Sequence, residues 1–273
     1  MKKNKASWLT LPYMVWMIVF TLIPLGVVAY YALTDPDTGT FTFDNLLNLS
    51  KYLPVLGQSV GYAVISALIC LVLGYPVAYY IAHCKPFAQK MLYMLVMLPM
   101  CMSFLLRTLA WVGLLQDTGI INNLLAKLGL GPVRMIRTAG AVILGMVYNY
   151  LPYMILPLYA IIVKIDHRLI EAAEDLGCNS LQVFSKVVFP LSMPGILSGI
   201  TMVFVPAVST FYISQKLGGI DTMLIGDVIE RQFKQAYNPN VGAALSLVLM
   251  ALVFVCTGIM NRLGGDEEGG VVV

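Results

Sequence analysis

The chain has 273 residues, of which 59% are hydrophobic and only 11% charged, with a formal net charge of +3. Roughly 25% charged residues is usual for a soluble domain, so the deficit of charge points to lipid rather than water as the solvent. No basic run is long enough to suggest a nucleic-acid partner, and the scattered Cys70, Cys84, Cys101, Cys178 and Cys256 form neither a metal motif nor a disulfide framework.

Six uncharged or nearly uncharged stretches are long enough to cross a bilayer, at about 11–33, 59–82, 91–115, 139–163, 194–214 and 241–261. Each reaches the roughly 20 apolar residues that about 30 Å of hydrocarbon requires. Their apolar runs are continuous rather than alternating, so they predict helices and not barrel strands. The fold class expected is therefore all-α, a polytopic membrane protein of six transmembrane helices in one domain. The first stretch is long, rich in Pro and Tyr, and reads as a retained span. The third is interrupted by Arg107.

Lys2, Lys3 and Lys5 precede the first span and place that side in the cytoplasm. Of the 17 Lys and Arg residues, nine then fall inside and eight elsewhere, so orientation rests on the first helix rather than on the total. Cytoplasmic segments are expected at 1–10, 83–90, 164–193 and 262–273, and external ones at 34–58, 116–138 and 215–240. Asp35, Asp37, Asp44, Asp117, Asp221, Asp227 and Glu230 are expected as solvated residues of the external loops. The acidic, glycine-rich tail 264–273 has no periodicity and reads as disordered.

The segment 164–196 is the one long polar stretch on the inside that looks ordered. Asp166 is a good N-cap. Ile165, Leu169, Ala172, Ala173 and Leu176 recur at helical spacing, and Gly177 stands where a left-handed residue ends a helix. Asn179 and Gln182 can close a capping box around a second short helix, which Pro190 is expected to end by disfavouring αR at the residue before it. The expectation is helix, glycine turn, helix, with small alanines exposed for a partner's close approach.

Glu171-Ala172-Ala173, three residues, Gly177, nine residues, Val187, one residue and Phe189-Pro190 resemble the "EAA" loop of ABC-importer permeases, with Val187 and Phe189 where that pattern has Ile and Leu. The resemblance extends to 11–25, to Leu98–Trp111, to 119–125, 151–160 and 165–196, and to the run from 202 to Gly219, which together resemble the first of the two permeases of spermidine/putrescine-type importers. It implies a type I importer permease of a bacterial cytoplasmic membrane with both termini inside. Glu171, Ala172, Ala173, Asp175, Leu176, Gly177 and Pro190 would couple it to an ATPase. The implied partners are a second homologous permease, two copies of the ATPase, an extracytoplasmic binding protein and the bilayer. No GxxxxGK[ST] loop occurs in the chain, so ATP and Mg²⁺ are expected on the partner ATPase, no cofactor on this chain and no enzymatic activity of its own.

The substrate implied is a polyamine, with another small organic ion or amino acid as the alternative and a secondary transporter as the reading outside the class. Pro206–Phe211 departs from the commonest pattern of that family. The candidate substrate path is Arg107, Tyr148, Asn149, Tyr153, Ser209 and Phe211. No Asp or Glu lies within the six spans, so a cation path would use amide, hydroxyl and carbonyl oxygens and aromatic faces. An amide in lipid needs a partner, which makes Asn149 the strongest pointer, and Asn149 and Tyr153 are four apart on one face.

Overall fold

A computed structural model describes residues 6–35 and 39–264. Lys2–Lys5, Asp37 and nearly all of the acidic tail lie outside the described residues. The regular secondary structure of the described residues is helical, with one isolated antiparallel bridge between Thr34 and Phe41.

In chain order the helices are α1 (Ala6–Met17), α2 (Ile23–Ala32), α3 (Asp44–Leu47), α4 (Leu53–Ala82), α5 (Pro86–Met97), α6 (Phe104–Leu115), α7 (Ile120–Lys127) and α8 (Ala139–Ile162). Then follow α9 (His167–Asp175), α10 (Ser180–Val183), α11 (Phe189–Leu191), α12 (Met193–Val208), α13 (Tyr212–Leu217), α14 (Ile225–Lys234) and α15 (Pro239–Gly264). Five continuous stretches are long and apolar enough to span: Pro12–Ala32, Asp44–Ala82, Phe104–Lys127, Ala139–Ile162 and Pro239–Met260. The sixth is a pair, Ser180–Leu191 and Met193–Val208, bent by 63°.

Four of the six expected spans match these stretches closely, and two need correction. The third does not run unbroken over 91–115. A 3-10 turn over Leu98–Cys101, with Pro99 in it, and extended backbone at Met102 separate α5 from α6. Pro99 cannot donate to the preceding turn, so the helix yields there, and the apolar stretch that spans is Phe104–Lys127. The fifth does not reach 214: α12 stops at Val208, and Ser209–Phe211 are non-helical before α13. The expected external loop 215–240 is largely helical too, and Asp227 within it is buried rather than solvated. Its Oδ2 accepts the Leu224 N–H at 2.8 Å, which fixes the start of α14.

Two π-helical turns share one cause. Ile18–Leu22 precedes Ile23-Pro24, and Phe184–Val188 precedes Phe189-Pro190. In each, the residue before the proline donates five residues back, Ile23 to Ile18 and Phe189 to Phe184. A proline inside an α-helix loses an N–H and crowds the carbonyl four residues back. The wide turn makes room for the ring and lets the helix continue. Pro190 therefore does not end its helix as expected: Phe189 stays αR at φ −63°, ψ −48°, and the chain bends two residues later, at Ser192.

The described residues up to 54 with 228–252, and 55–227 with those from 253 on, form two compact units. In the first, Thr34 O accepts from both Asn45 Nδ2 and Asn240 Nδ2, and Tyr52 OH accepts from Gln232 Nε2 at 3.1 Å. The second holds the candidate functional residues. Its centre is α8, whose inner face buries Val142, Met146, Met154, Ile155 and Leu158.

Glycines let α12 and α4 approach α8 closely. A Cβ on Gly195 would meet Pro157 O at 3.1 Å and Ile161 at 3.1 Å, and one on Gly74 would meet Met154 at 3.1 Å. Gly195 and Gly199 are four apart on α12, the small-residue spacing used by close-packed membrane helices. Gly195→Leu should therefore destabilise the protein by about 1–3 kcal/mol through overpacking, read as a lower thermal midpoint in detergent. Gly61→Leu, at a helical glycine with nothing within 4 Å, should leave the midpoint unchanged.

Candidate functional site: a coupling segment bolted to the span bundle

The segment after α8 folds as its sequence predicts at each cap. Asp166 accepts the Arg168 N–H at 3.0 Å and starts α9. At the other end Gly177 has φ +84°. The Gly177 N–H donates to Glu174 O at 2.8 Å and the Cys178 N–H to Ala173 O at 3.0 Å. This pair of bonds is the Schellman arrangement, which needs a left-handed residue at Gly177's position. Asn179 and Gln182 then exchange hydrogen bonds of 2.9 and 3.0 Å as the capping box of α10.

Packing divides the segment into two faces, and here one expectation fails. Ala172 is exposed, but Ala173 is 8% exposed, so the two alanines do not share an open face. Ala173 packs with Val183 and Val188, and Tyr79, Ile165, Ile170, Cys178 and Val187 lie against them. Successive helical residues point about 100° apart, and the hairpin between α9 and α10 needs a small residue where its arms meet. The opposite face carries Glu171, Glu174 and Asp175 with two bare leucines, Leu176 at 86% and Leu181 at 79% exposure. Leu176 and Leu181 thus make an exposed apolar patch beside the Gly177 turn.

The segment is fixed to the spans by contacts that the sequence did not single out. Tyr75 and Tyr79 stand one turn apart on α4. The Tyr75 ring meets Phe184 edge-on at 5.4 Å and Phe189 at 6.1 Å, and Tyr79 meets Phe184 at 6.1 Å. The Tyr75 hydroxyl bonds the Ser192 hydroxyl at 2.8 Å, and Ser192 Oγ donates to Phe189 O at 2.8 Å. Both residues are buried, and Ser192 is the bend itself. Pro190, expected in the coupling set, stands in this joint between Phe189 and Ser192 and is itself exposed. The tyrosine spacing of four in an apolar span was the available signal.

The candidate path residues do not form one surface. Asn149 is 1% exposed, whereas Tyr148 and Tyr153, its expected neighbours on a shared face, are partly exposed. The Asn149 amide donates to Gly145 O at 2.8 Å, and its oxygen is buried without a hydrogen-bond partner. Tyr148 meets Trp111 of α6 edge-on at 5.4 Å. Arg107 is 6% exposed, and its Nε and Nη1 are buried without partners. Ser209 and Phe211 are exposed at the break between α12 and α13, where Ser209 Oγ donates to Val205 O at 3.1 Å. Tyr150 and Thr210, outside the expected path set, are both buried, and the Tyr150 hydroxyl donates to Pro206 O at 3.3 Å.

The sequence and fold have known counterparts. Residues 71–264 match the family described as binding-protein-dependent transport system inner membrane component. The spermidine/putrescine transport system permease protein PotB of Haemophilus influenzae is 40% identical over 260 residues, 91% of each chain. Its namesake in Escherichia coli is 39% identical over 243 residues, 86% of this chain and 88% of that one. A bacterial ABC transporter that imports the polysaccharide alginate has a chain of TM-score 0.82 at 19% identity, covering 97% of this chain and 98% of its own. The methionine transporter MetNI matches at TM-score 0.60 and 17% identity, over 80% and 96%. These two structures share the fold. With these matches over most of its length, the chain belongs to the family of inner-membrane permease components of binding-protein-dependent transport systems.

Proposed function

We propose that this permease carries polyamines inward across the cytoplasmic membrane as part of an ATP-driven importer. It pairs with a second permease of the same kind, and two copies of an ATPase bind ATP and Mg²⁺ and hydrolyse the nucleotide. A binding protein on the outer side delivers the substrate. The substrate reading is supported by two relatives at about 40% identity, both described as spermidine/putrescine permeases. A polycation moving inward gains about 2.3 kcal/mol per charge per 100 mV, so ATP has mainly to open the path and release substrate from the binding protein.

The observation that carries the mechanism is the rigid hairpin at 166–189, capped at both ends and bonded through Tyr75 and Ser192 to α4. Its face of Glu171, Ala172, Asp175, Leu176 and Leu181 docks on the ATPase. Gly177 fixes the turn, Ala173 closes the hairpin, and Pro190 sits in the joint. A push on the hairpin moves α4 and α12 together, because the joint is packed and hydrogen-bonded on both sides. The path for substrate runs along α6, α8 and the break at Ser209–Phe211. Asn149 Oδ1 offers a neutral acceptor to an ammonium, and Tyr148, Tyr153 and Phe211 offer ring faces worth about 0.5–2 kcal/mol each to a cation. A site without a fixed carboxylate binds weakly enough to let its substrate go.

Three outcomes test this. Leu176→Asp with Leu181→Asp replaces two exposed residues, so the permease should assemble in the membrane and keep its thermal midpoint. Spermidine uptake and substrate-stimulated ATP hydrolysis should fall by about tenfold or more, as expected for a buried hot spot; normal uptake would show that the ATPase docks elsewhere. Gly177→Val forces a β-branched residue to positive φ, at a cost of about 1–3 kcal/mol. It should expose the hairpin to protease and uncouple transport, whereas Gly177→Asn, which tolerates that conformation, should retain most activity. Finally, Asn4→Cys and Asn179→Cys should both resist an impermeant thiol reagent added outside intact cells. Labelling of one position alone would break the even number of spans between them, and labelling of both would invert the orientation.

A further inference from the structure

The turn 83–85 joins two helices that stand apart around a groove. α4 ends at Ala82 and α5 begins at Pro86. Val77, Tyr80 and Ile81 of α4 and Leu92, Leu95 and Val96 of α5 line a cavity of about 410 Å³ between them. Its lining carries no charge, and its one polar side-chain group is the Tyr80 hydroxyl. The groove lies at membrane depth. Its α4 wall is the last two turns of the span Asp44–Ala82, and α5 is held to a second span by the Tyr93 ring against Tyr159 of α8 at 5.1 Å. Tyr80 and Leu95 are exposed while Ile81 is buried, so the groove opens outward from the bundle. What it meets there is hydrocarbon, not water.

The end of the groove at the turn is basic. Lys85 is the N-cap residue of α5. Its carbonyl accepts the Gln89 N–H at 2.9 Å, and Gln89 Nε2 donates to Ala82 O at 3.3 Å. These bonds tie the first turn of α5 to the end of α4, one residue beyond the groove-lining Ile81. Lys85 precedes Leu92 by seven residues, the two-turn spacing that puts both on one face of α5. Lys90, two residues from Leu92, stands on the other face. Residues 83–90 include no Asp or Glu, and among the described residues neither lysine forms an ion pair. A slot for hydrocarbon therefore ends on an uncompensated cation.

We propose that the groove binds one anionic phospholipid, with an acyl chain along Val77, Tyr80, Leu92 and Leu95 and the phosphate against Lys85. Basic pockets between membrane helices recognise anionic headgroups in this way, and a tyrosine suits the headgroup level. A zwitterionic lipid with the same chains fills the slot but brings its own cation to Lys85, so charge complementarity selects a net negative headgroup. A neighbouring protein helix is about 10–12 Å across and would enter only by its side chains, whereas an acyl chain lies along the slot in single file. The site also touches the coupling joint. Pro76 of the groove wall follows Tyr75, which bonds Ser192 at 2.8 Å, so a lipid seated on α4 steadies the helix to which the hairpin is tied.

The test uses the assembled complex, with its partner permease and ATPase, purified in detergent. Neither substrate nor nucleotide is present, so the outcome is independent of the transport reading. Dioleoyl phosphatidylglycerol should raise the thermal midpoint by about 2–4 °C. Dioleoyl phosphatidylcholine, with the same chains, and glycerol 3-phosphate, with the headgroup charge alone, should not. Lys85→Glu should abolish the rise, and Lys90→Glu, the same charge change on the other face, should keep it. If Lys85→Glu does not assemble, the unaltered protein decides: phosphatidylglycerol with a diazirine on its acyl chain should, on illumination, label the stretches 77–81 and 92–96. An equal rise with phosphatidylcholine overturns the selection for charge. A rise with glycerol 3-phosphate alone overturns the lipid as the source of the phosphate. Equal losses in the two lysine variants reduce the effect to surface charge and overturn the site. No rise, with no label in either stretch, shows that the partner permease covers the groove and overturns the proposal.

Discussion

The hydrogen bond between Tyr75 and Ser192 is the constraint that ties the hairpin at 166–189 to α4. Ser192 is fully buried at a 63° bend between two helical pieces, and a bend leaves backbone groups without their helical partners. Its hydroxyl meets part of that need by donating to Phe189 O, and it locks the bend to α4 through the tyrosine. Phe184 and Phe189 then pack on the Tyr75 ring. Remove this joint and the hairpin at 166–189 becomes a tether, free to move without moving a span.

The same segment shows how membrane helices tolerate proline. Pro190 sits in the joint, where an abrupt helix end would cast the hairpin loose from α12. The π-turn at 184–188 widens the backbone enough for the ring to fit, so the helix passes through and the bend is displaced to Ser192. Pro24 is handled in the same way after 18–22. Pro99 is not: there the chain goes to a 3-10 turn and then to extended backbone. The difference is one of position, since a break at 102–103 falls between two helices, whereas a break at Pro190 would part the hairpin from α12.

Polar groups inside the bundle are sparse and mostly satisfied, some within their own helix and some by a distant one. Ser59 accepts the Ile225 N–H at 2.7 Å, Thr108 donates to Phe104 O and Tyr150 to Pro206 O. Against that background the bare donors of Arg107 and the bare oxygen of Asn149 stand out.

The sequence alone determined the class, most of the spans and the caps of the hairpin. Low charge and long apolar runs require helices in lipid, because backbone polar groups there must be bonded within their own segment. Asp166, Gly177, Asn179 and Gln182 act through bonds that reach only a few residues along the chain, so their roles could be read in order. What lay beyond reach was every feature set by a distant neighbour. Ala173 and Ala172 are equivalent in composition, yet only packing against Val183 and Val188 decides which is buried. Asp227 reads as a loop residue until α14 folds in and buries it. Asn149 and Tyr153 share a helix face by spacing, but only the helices around α8 decide that the amide points into protein while the rings reach its edge. Periodicity gives the relative angle of side chains on a helix, and only tertiary contacts give the helix its rotation.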